Sequence, residues 1–400
     1  RLYQGRIVDL PGWTRALADR RYSLEAVETT VTLADFDAAI AKVIAGYGVV
    51  PTLTRGTAAV IKLCSPDVTS TDWYTAWTGV IESYEMVRPN VWSLRLRAND
   101  LPLLRPFPGP DWVLSRARFP HADPAVWGLP APILLGRHDS VGTTEEGAVP
   151  LLCLDQSQLW YLVGAGACKA VHRVYKAGVS QASGWTSEVM ALNGRTCRVV
   201  VLDADPVDDA ITADVDGLET VGDGSGTLIT DPVDQLELLL DNFVWSTWLT
   251  GAWSTSAAPL DSTSWAAVKS YLAACGVSGY QSSRRYDSLT RGADALDEWC
   301  LSMGVYSYWT EGGLLGLVAD DHRAGTTYID SPWLRQDEAE LNGHELRIAY
   351  DVSNLVDRIS ARFLPVGGEL RGGLVVADAG ATSTLAMQQL DLQWSRGHAA

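Results

Sequence analysis

Lysine is scarce in this 400-residue chain. Only 5 of its 31 basic residues are lysines, and the formal net charge at pH 7 is −17. Basic residues are absent altogether from 201–268, a segment that contains thirteen aspartates and glutamates. Proteins that grip duplex DNA neutralise its phosphates with a basic face. The charge balance therefore excludes a protein of that class.

Long apolar runs and short catalytic motifs are also missing. No stretch approaches the roughly 18 consecutive apolar residues of a membrane-spanning helix, so we expect no membrane span. The six histidines form no HExxH pair, and neither a GxSxG elbow nor a P-loop occurs. The six cysteines form no CxxC pair and lie among apolar residues, which favours buried free thiols over disulfides or a metal site. These patterns predict no cofactor, no metal and no enzymatic activity.

Two local motifs invite a catalytic interpretation but do not support it. The Gly-rich stretch 222–226 lacks the lysine and the following helix of a phosphate-binding loop, so it is interpreted as a flexible turn. The triplet His138-Asp139-Ser140 is interpreted as a loop, because catalytic triads converge in space rather than along the chain.

Two hairpins dominate the N-terminal quarter. From Trp73 to Leu96 the chain alternates between apolar and polar residues around a Val-Arg-Pro-Asn turn at 87–90. The segments 2–8 and 29–33 repeat this design approximately: a strand reaches a glycine, continues with hydrophobic residues and returns as a second strand. Because paired hairpins can close a small sheet on itself, a small β-barrel or sandwich is expected here.

Composition divides the chain into five segments. Eight of the 18 prolines fall within 102–132, which predicts an ordered strap or linker. Helical periodicity begins at 231, with Asp231 as a cap and Pro232 at the first helical position. The predicted segments are a first tube-like β-barrel at 1–101, a Pro-rich strap at 102–132, a mainly β second domain at 133–230, an α/β insert at 231–343, and return strands that complete the second barrel, with a C-terminal tail, at 344–400.

Local signals inside these segments predict individual elements. Apolar spacing predicts four helices, at 33–48, 231–244, 262–276 and 289–304. Hairpin turns are expected at Lys176-Ala177-Gly178 and at Glu311-Gly312-Gly313. The acidic, Gly-rich stretch at 203–226 is interpreted as a loop.

Four segments, taken in chain order, resemble the tail-hub and tail-tip proteins of long-tailed bacteriophages, a class that includes the central hub of contractile baseplates. The resemblance spans about residues 1–366. The four segments are WTGVIESYEM followed by SLRLRAND; LPAPILLGR leading into CKAVHRVYKAGV; the helix DPVDQLELLLDNFV; and the run from ALDEWCLSMGVYSYWTEGGLLGLV to NLVDRISARF.

The resemblance implies a structural virion protein at the distal end of a phage tail. The implied fold is α+β and predominantly antiparallel β, with two small tail-tube-like barrels and α/β insert domains. The implied assembly is a homotrimeric ring that joins the tail tube to the tip and contacts the tail tube, distal tail, tape measure and tip or fibre proteins. Genomic DNA would pass through its channel during ejection without specific binding. Such a protein is made in the host cytoplasm, is not an enzyme and contributes to host cell attachment.

Two other functions stay open. Sixteen tryptophans are compatible with a glycan-binding module for receptor recognition, although core packing is the commoner fate of an aromatic residue in an alternating strand. Glu237 and Asp241 lie one helical turn apart, as do Asp294 and Glu298. Paired carboxylates can cleave glycosidic bonds, so a peptidoglycan hydrolase is the third possibility, although such acid pairs are also routine on exposed helix faces.

Two groups of residues are the candidate functional positions. An acidic surface repels DNA, which is useful where DNA must pass without adhering, so several aspartates are expected to line the channel or its rim. Their spacing does not match a calcium-binding EF-hand loop, and a solvated outer loop is the alternative. The candidate channel residues are Asp203, Asp205, Asp208, Asp209, Asp214, Asp216 and Asp223. The candidate subunit-interface aromatics, which follow a predicted helix, are Trp245, Trp248 and Trp253.

Overall fold

The structure is a computed structural model, and the chain divides into two compact units, Arg1–Ala319 and Asp320–Ala400. Nearly all strand pairs are antiparallel, which confirms the predicted α+β class with mainly antiparallel β structure. The structure describes residues 7–9, 28–35, 40, 56–63, 74–109, 112–139, 148–192, 195–206, 209–245, 253, 258–274, 282–310, 312–319, 358–363, 371–377 and 387–392.

The N-terminal sheet contains both predicted strand pairs. Its strands are β1 (Ile7–Asp9), β2 (Glu28–Ala34), β3 (Ala58–Leu63), β4 (Tyr74–Arg88) and β5 (Val91–Arg97). They lie in the order β1-β2-β5-β4-β3 and form a half-barrel. The turn between β4 and β5 is Pro89-Asn90, where Asn90 has φ of 60°, a left-handed conformation that asparagine tolerates. The sequence prediction of this hairpin is confirmed.

One face of the half-barrel sheet is apolar. Trp77, Ile81 and Leu94 are buried there, since alternate strand residues point to the same face. Gly79 lies against the indole of Trp77 and the main-chain oxygen of Arg97, and a Cβ atom at this position would overlap both. The glycine of the WTGV sequence is therefore required by close packing.

The Pro-rich segment is ordered, as predicted, and contributes buried side chains. It contains β6 (Pro106–Phe107) and a 3₁₀ turn at Pro124–Val126, and its Val113 bridges Pro130. Phe107 and Leu114 are each at most 3% exposed, so this segment is part of the folded core rather than a strap over a surface.

The middle of the first unit contains two antiparallel sheets. The first has the strand order β10 (Leu152–Asp155), β11 (Trp160–Ala165), β15 (Arg195–Leu202), β14 (Trp185–Leu192). The second has the order β13 (Val179–Gln181), β12 (Cys168–Lys176), β16 (Ile211–Leu218), β8 (Arg137–His138), and β9 (Val149–Pro150) also pairs with β16. The hairpin turn predicted at Lys176-Ala177-Gly178 is confirmed, with Ala177 and Gly178 at φ of 48° and 79°. Strand β7 (Ile133–Leu135) precedes these strands in the chain and belongs to neither sheet.

The loop interpretation of 203–226 is wrong for residues 211–218, which form β16. This strand pairs with β12 along most of its length and with β8 and β9 on its other side. Ile211, Ala213 and Val215 alternate along it and are fully or almost fully buried. Their burial outweighs the low strand propensity of the aspartates between them.

The three helices predicted after residue 230 are present, whereas most of the helix predicted at 33–48 lies outside the described residues. Helix α1 (Pro232–Leu239) continues as a π-helical turn at Leu240–Val244; α2 is Ser262–Ala274, and α3 is Gly292–Met303. The predicted cap of α1 is confirmed, because Asp231 Oδ1 accepts a hydrogen bond from Val233 N at 2.9 Å. Helix α3 ends at Gly304, which has φ of 64°, as expected of a glycine stop.

The remaining strands follow or flank these helices. Strand β17 (Arg284–Tyr286) pairs with β7, β18 (Thr290–Arg291) pairs with β6, and β19 (Val305–Trp309) forms the predicted hairpin with β20 (Leu315–Ala319). The second unit contains β21 (Arg358–Phe363), β22 (Arg371–Ala377) and β23 (Met387–Leu392), in the order β22-β21-β23 with β21 and β23 parallel. The strand predicted at 344–351 lies outside the described residues.

Candidate functional site

Two of the seven candidate channel aspartates are buried within β16. Asp214 is 4% exposed, and its Oδ2 accepts a hydrogen bond from the Tyr175 hydroxyl at 3.0 Å. Asp216 is 9% exposed, and its carboxylate oxygens lie 2.9 Å from His172 Nε2 and 3.0 Å from Arg137 Nε. Buried carboxylates with such partners serve the fold. Their burial corrects the expectation of open, channel-facing acids at these two positions.

The strand register explains this cluster. Asp216 is directly opposite Arg137 in the β16–β8 pair. A register shift in β12 between Val171 and Arg173 inserts His172 as an extra residue, which lets the imidazole reach the Asp216 carboxylate. Both partners of Asp216 are therefore supplied by neighbouring strands, far away along the chain.

The other candidate aspartates that the structure describes are exposed. Asp209 lies 3.5 Å from the Lys176 ammonium. Hydrogen bonds from the Ser225 hydroxyl and from Ser225 N, the latter at 2.8 Å, lower the pKa of the Asp223 carboxyl. Asp203 and Asp205 are also exposed, and Asp208 lies outside the described residues. Whether these carboxylates face a channel stays a prediction, since it depends on an assembly of several copies.

Glu219 organises the Gly-rich loop that follows β16. Its side chain is fully buried and accepts hydrogen bonds from Val221 N at 2.5 Å, Gly222 N at 2.6 Å and Gly224 N at 2.8 Å. A Cβ atom on Gly226 would overlap this carboxylate. The loop is thus wrapped around a buried anion, and its glycines permit the close approach of the backbone. This role replaces the interpretation of 222–226 as a flexible turn.

Trp253 belongs to the same structure and is a core residue. It is 7% exposed, donates its indole Nε1–H to the Glu219 main-chain oxygen at 2.6 Å, and packs on Phe243 with ring centroids 6.1 Å apart. This contact corrects the prediction of Trp253 as an interface anchor, because its side chain is already buried within one chain. Trp245 is half-buried at the end of the π-helical turn, and Trp248 lies outside the described residues.

An acidic cleft lies between α1 and α2. Its volume is about 290 Å³, and Asp234, Glu237, Asp241, Trp265 and Lys269 contribute to its lining. The Lys269 ammonium contacts both carboxylate oxygens of Asp234 at 2.6 Å. Burial, followed by the charges of Asp241 and Asp234, raises the pKa of Glu237.

The acidic cleft does not offer two free carboxylates. Asp241 is 2% exposed, and its Oδ1 accepts a hydrogen bond from Ala258 N at 2.6 Å. The second acid pair is also engaged, because Asp294 pairs with Arg291 at 2.7 Å and Glu298 pairs with Arg284. A glycosidase needs one proton donor and one carboxylate free to act on the sugar or on water. In each helical acid pair at least one carboxylate is already engaged within the chain.

A ladder of alternating charges lies on the other face of the half-barrel sheet. Arg95 at one end is exposed, whereas Arg97, Glu82 and Asp100 are largely buried. Arg95 is held between Glu28 and Glu82, the latter 3.1 Å from its Nε. Arg97 continues the ladder, with its Nη1 3.3 Å from Glu82 and its Nε 2.7 Å from Asp100. Each guanidinium thus has two carboxylate neighbours, and the ladder contains three acids for two bases.

Beyond the charged ladder, the end of the β4–β5 hairpin exposes apolar side chains. Met86 is 54% exposed and Val87 is 48% exposed. Another large apolar side chain of this sheet, Val60 on β3, is 51% exposed. Apolar groups on projecting strands and at a sheet edge are typical of surfaces that contact other proteins.

The buried thiols agree with the sequence analysis where they are described. Cys153, Cys168, Cys197 and Cys300 are free and buried, and burial raises the pKa of Cys168 and of Cys300 to about 12. The described part of the chain holds no group of three or more His, Cys, Asp or Glu side chains placed to bind a metal ion. Among those residues, no helix is both long enough and apolar enough to cross a membrane.

Comparison with known proteins adds no relative. No protein-family model matches the chain, and no curated protein matches it.

Sequence reasoning missed two features: the loop wrapped around the Glu219 carboxylate, and the exposed apolar side chains of Met86 and Val87. Glu219 lies three residues before Gly222, the start of the Gly-rich stretch, and an acid near such a stretch is the one local signal for a loop wrapped around a carboxylate. Met86 and Val87 are consecutive apolar residues shortly before the Pro-Asn turn. Two apolar residues in a row break the alternation of a strand, which indicates that at least one of them is exposed.

Proposed function

We propose that this chain is a structural subunit of the distal end of a bacteriophage tail, where copies form a hub ring around the channel for DNA ejection. The observation that carries the proposal is the half-barrel sheet. Its edge strands in the described residues are β1 and β3, which do not pair with each other. An open antiparallel sheet is a natural unit for a ring, because neighbouring copies can continue it. A ring of three copies, each with two tube-like barrels, is the form that the sequence resemblance favours.

The charged ladder supports a role next to passing DNA. DNA binds to proteins mainly through phosphate contacts with lysine and arginine. Arg95 and Arg97 are neutralised by three carboxylates, so this face offers phosphates no excess positive charge. The chain's net charge of −17 acts in the same direction. Such a face suits a wall along which DNA slides without adhering.

The two alternative functions have weaker support. A glycan platform needs exposed tryptophans, whereas Trp77, Trp265, Trp299 and Trp309 are each at most 4% exposed. A hydrolase needs a free carboxylate pair, and Asp241 is occupied by Ala258 N. The proposed neighbours remain the tail tube, distal tail, tape measure and tip or fibre proteins.

Location and stoichiometry test the proposal together. Antibodies against the purified chain should label one end of the tail in electron micrographs of particles made from the genome that encodes it. Quantitative mass spectrometry of those particles should give a small integral copy number, with three expected. Absence of the chain from purified particles would refute the proposal. Clearing of peptidoglycan in a zymogram, or specific glycan binding on an array, would favour the alternatives.

A further inference from the structure

The acidic cleft between α1 and α2 is large enough to hold a ligand. Its volume of about 290 Å³ is close to the lower end of the range for small-molecule sites, about 300–1,000 Å³. Its walls are partly or fully exposed, so a ligand can enter from solvent. The wall residues are Asp234 and Glu237 on α1, and Ser262, Ala266 and Lys269 on α2.

Most of the floor of the cleft is apolar. Val233, Ala258 and Trp265 line it and are each at most 7% exposed. The indole Nε1–H of Trp265 is donated to the Leu315 main-chain oxygen at 2.9 Å, so the indole offers the cleft no free polar atom. A ligand that fills the cleft therefore needs an apolar part to lie on this floor.

The cleft carries an excess of negative charge. Three carboxylates and one ammonium line it, which gives a formal charge of −2. The Lys269 ammonium already contacts both oxygens of Asp234 at 2.6 Å, and Asp241 accepts a hydrogen bond from Ala258 N at 2.6 Å. Glu237 is the remaining acid, and among the described residues it has no hydrogen-bond or ion-pair partner.

The free Glu237 carboxylate lies in surroundings that disfavour its charge. Burial and the charges of Asp241 and Asp234 raise the pKa of Glu237, although the charge of Lys269 acts in the opposite direction. A cation bound beside this carboxylate would compensate its charge, and a half-buried pair is screened by salt less than an exposed one. The described residues hold no group of three or more side chains placed to bind a metal ion, so an organic cation is the matching ligand class.

A guanidinium group suits the cleft better than an ammonium group. A guanidinium is planar and can donate two parallel hydrogen bonds to one carboxylate. It is also more weakly hydrated than an ammonium, so less hydration is lost when it lies beside an apolar floor. An alkyl stem attached to it can pack on apolar side chains while the charged end meets the acid.

We propose that the acidic cleft binds an alkylguanidinium group, with the guanidinium on the Glu237 carboxylate and the alkyl stem on Val233 and Trp265. A free alkylguanidine and an arginine side chain of another protein share this chemistry. The cleft would bind such a group whether or not the chain is a hub subunit.

Titration calorimetry with n-butylguanidinium tests the site. The full chain should bind one equivalent at about 0.15 M salt, where exposed charges are largely screened. The matched control ligand is n-butylurea, which has nearly the same shape but no charge, and it should bind at least about tenfold more weakly. Equal binding of the two ligands, or no saturable binding of n-butylguanidinium, would overturn the proposal.

Two variants with opposite expected effects identify the partner. Glu237→Gln should fold, because it removes a half-buried charge, and should weaken n-butylguanidinium binding by about tenfold or more. Lys269→Met removes the resident cation and leaves Asp234 unpaired, so it should strengthen binding by about threefold or more. Glu188→Gln, at an exposed position on β14, is the control and should leave the affinity unchanged.

The variants also separate a specific site from general attraction to an acidic chain. Equal losses in Glu237→Gln and Glu188→Gln would show that binding reports only the net charge, and the proposal would be wrong. Weaker binding by Lys269→Met would show that the shape of the cleft matters rather than its charge, and would also contradict the proposal.

A capped tripeptide, acetyl-Gly-Arg-Gly-amide, distinguishes the two sources of the guanidinium. Tighter binding of this peptide than of n-butylguanidinium would support an arginine of another protein as the natural occupant. Binding of n-butylguanidinium without binding of the peptide would support a free alkylguanidine. Failure of both probes to bind would refute the site.

Discussion

Trp253 donates its indole Nε1–H to the main-chain oxygen of Glu219 at 2.6 Å, while the Glu219 carboxylate holds three amides of the following loop. Glu219, which directly follows β16, thereby joins the Gly-rich loop to the segment after α1. These hydrogen bonds hold the Gly-rich loop in place within a segment, 201–268, that contains no basic residue.

Glu219→Gln should destabilise the chain by about 2 kcal/mol, because charge-assisted hydrogen bonds to buried amides are replaced by an amide that also brings a donor. Urea unfolding monitored by Trp fluorescence measures the change. Asp223→Asn, an exposed position in the same loop, is the control and should change stability by less than about 0.5 kcal/mol. Equal effects of the two variants would show that the Glu219 carboxylate has no special role.

Tyr175 and Asp214 should be energetically coupled through their buried hydrogen bond of 3.0 Å. A double-mutant cycle with Tyr175→Phe and Asp214→Asn should give an interaction free energy of about 1 kcal/mol. Tyr175→Phe combined with Asp223→Asn should instead be additive. Additivity for Tyr175 and Asp214 as well would show that this hydrogen bond adds nothing to the stability of the chain.

Glu237 should make stability fall as pH rises. Burial and the neighbouring charges of Asp241 and Asp234 raise the pKa of Glu237, so the folded chain holds this proton to a higher pH than the unfolded chain, whose glutamate pKa is about 4.3. The resulting penalty is absent at low pH and grows above about pH 4. The unfolding free energy of Glu237→Gln relative to wild type should therefore increase between about pH 4 and about pH 7. Glu85→Gln, at an exposed position, is the control, and a flat difference for Glu237→Gln would contradict the shift.

Gly79→Ala should disrupt the half-barrel sheet. The added methyl group would overlap the Trp77 indole and the Arg97 main-chain oxygen, and backbone atoms cannot move aside cheaply. We expect a loss of about 2 kcal/mol or more, with a lower thermal midpoint by differential scanning calorimetry. At Gly109 a Cβ atom meets nothing within 4 Å, so Gly109→Ala is the matched control. Equal midpoints for the two variants would refute the packing role of Gly79.

Much of the local structure was predictable from the sequence, because its causes are local. The Pro89-Asn90 turn, the Asp231 cap before Pro232 and the Gly304 stop each depend on residues within a few positions of one another. The alternating hairpin of the N-terminal sheet and the three helices follow from apolar spacing in the same way. These features determine the α+β, mainly antiparallel class by themselves.

The fate of the acids and of Trp253 was decided only by the tertiary structure. From the sequence alone, Asp214 and Asp216 were interpreted as solvated charges. In the structure Asp214 lies beside Tyr175, 39 residues earlier, and Asp216 lies beside Arg137, 79 residues earlier. From the sequence alone, Trp253 was interpreted as an interface anchor. In the structure its indole donates a hydrogen bond to the main-chain oxygen of Glu219, 34 residues earlier. The sequence shows whether a side chain is charged or apolar. Whether it is buried depends on which distant strand supplies its partner, and only the assembled sheets specify that partner.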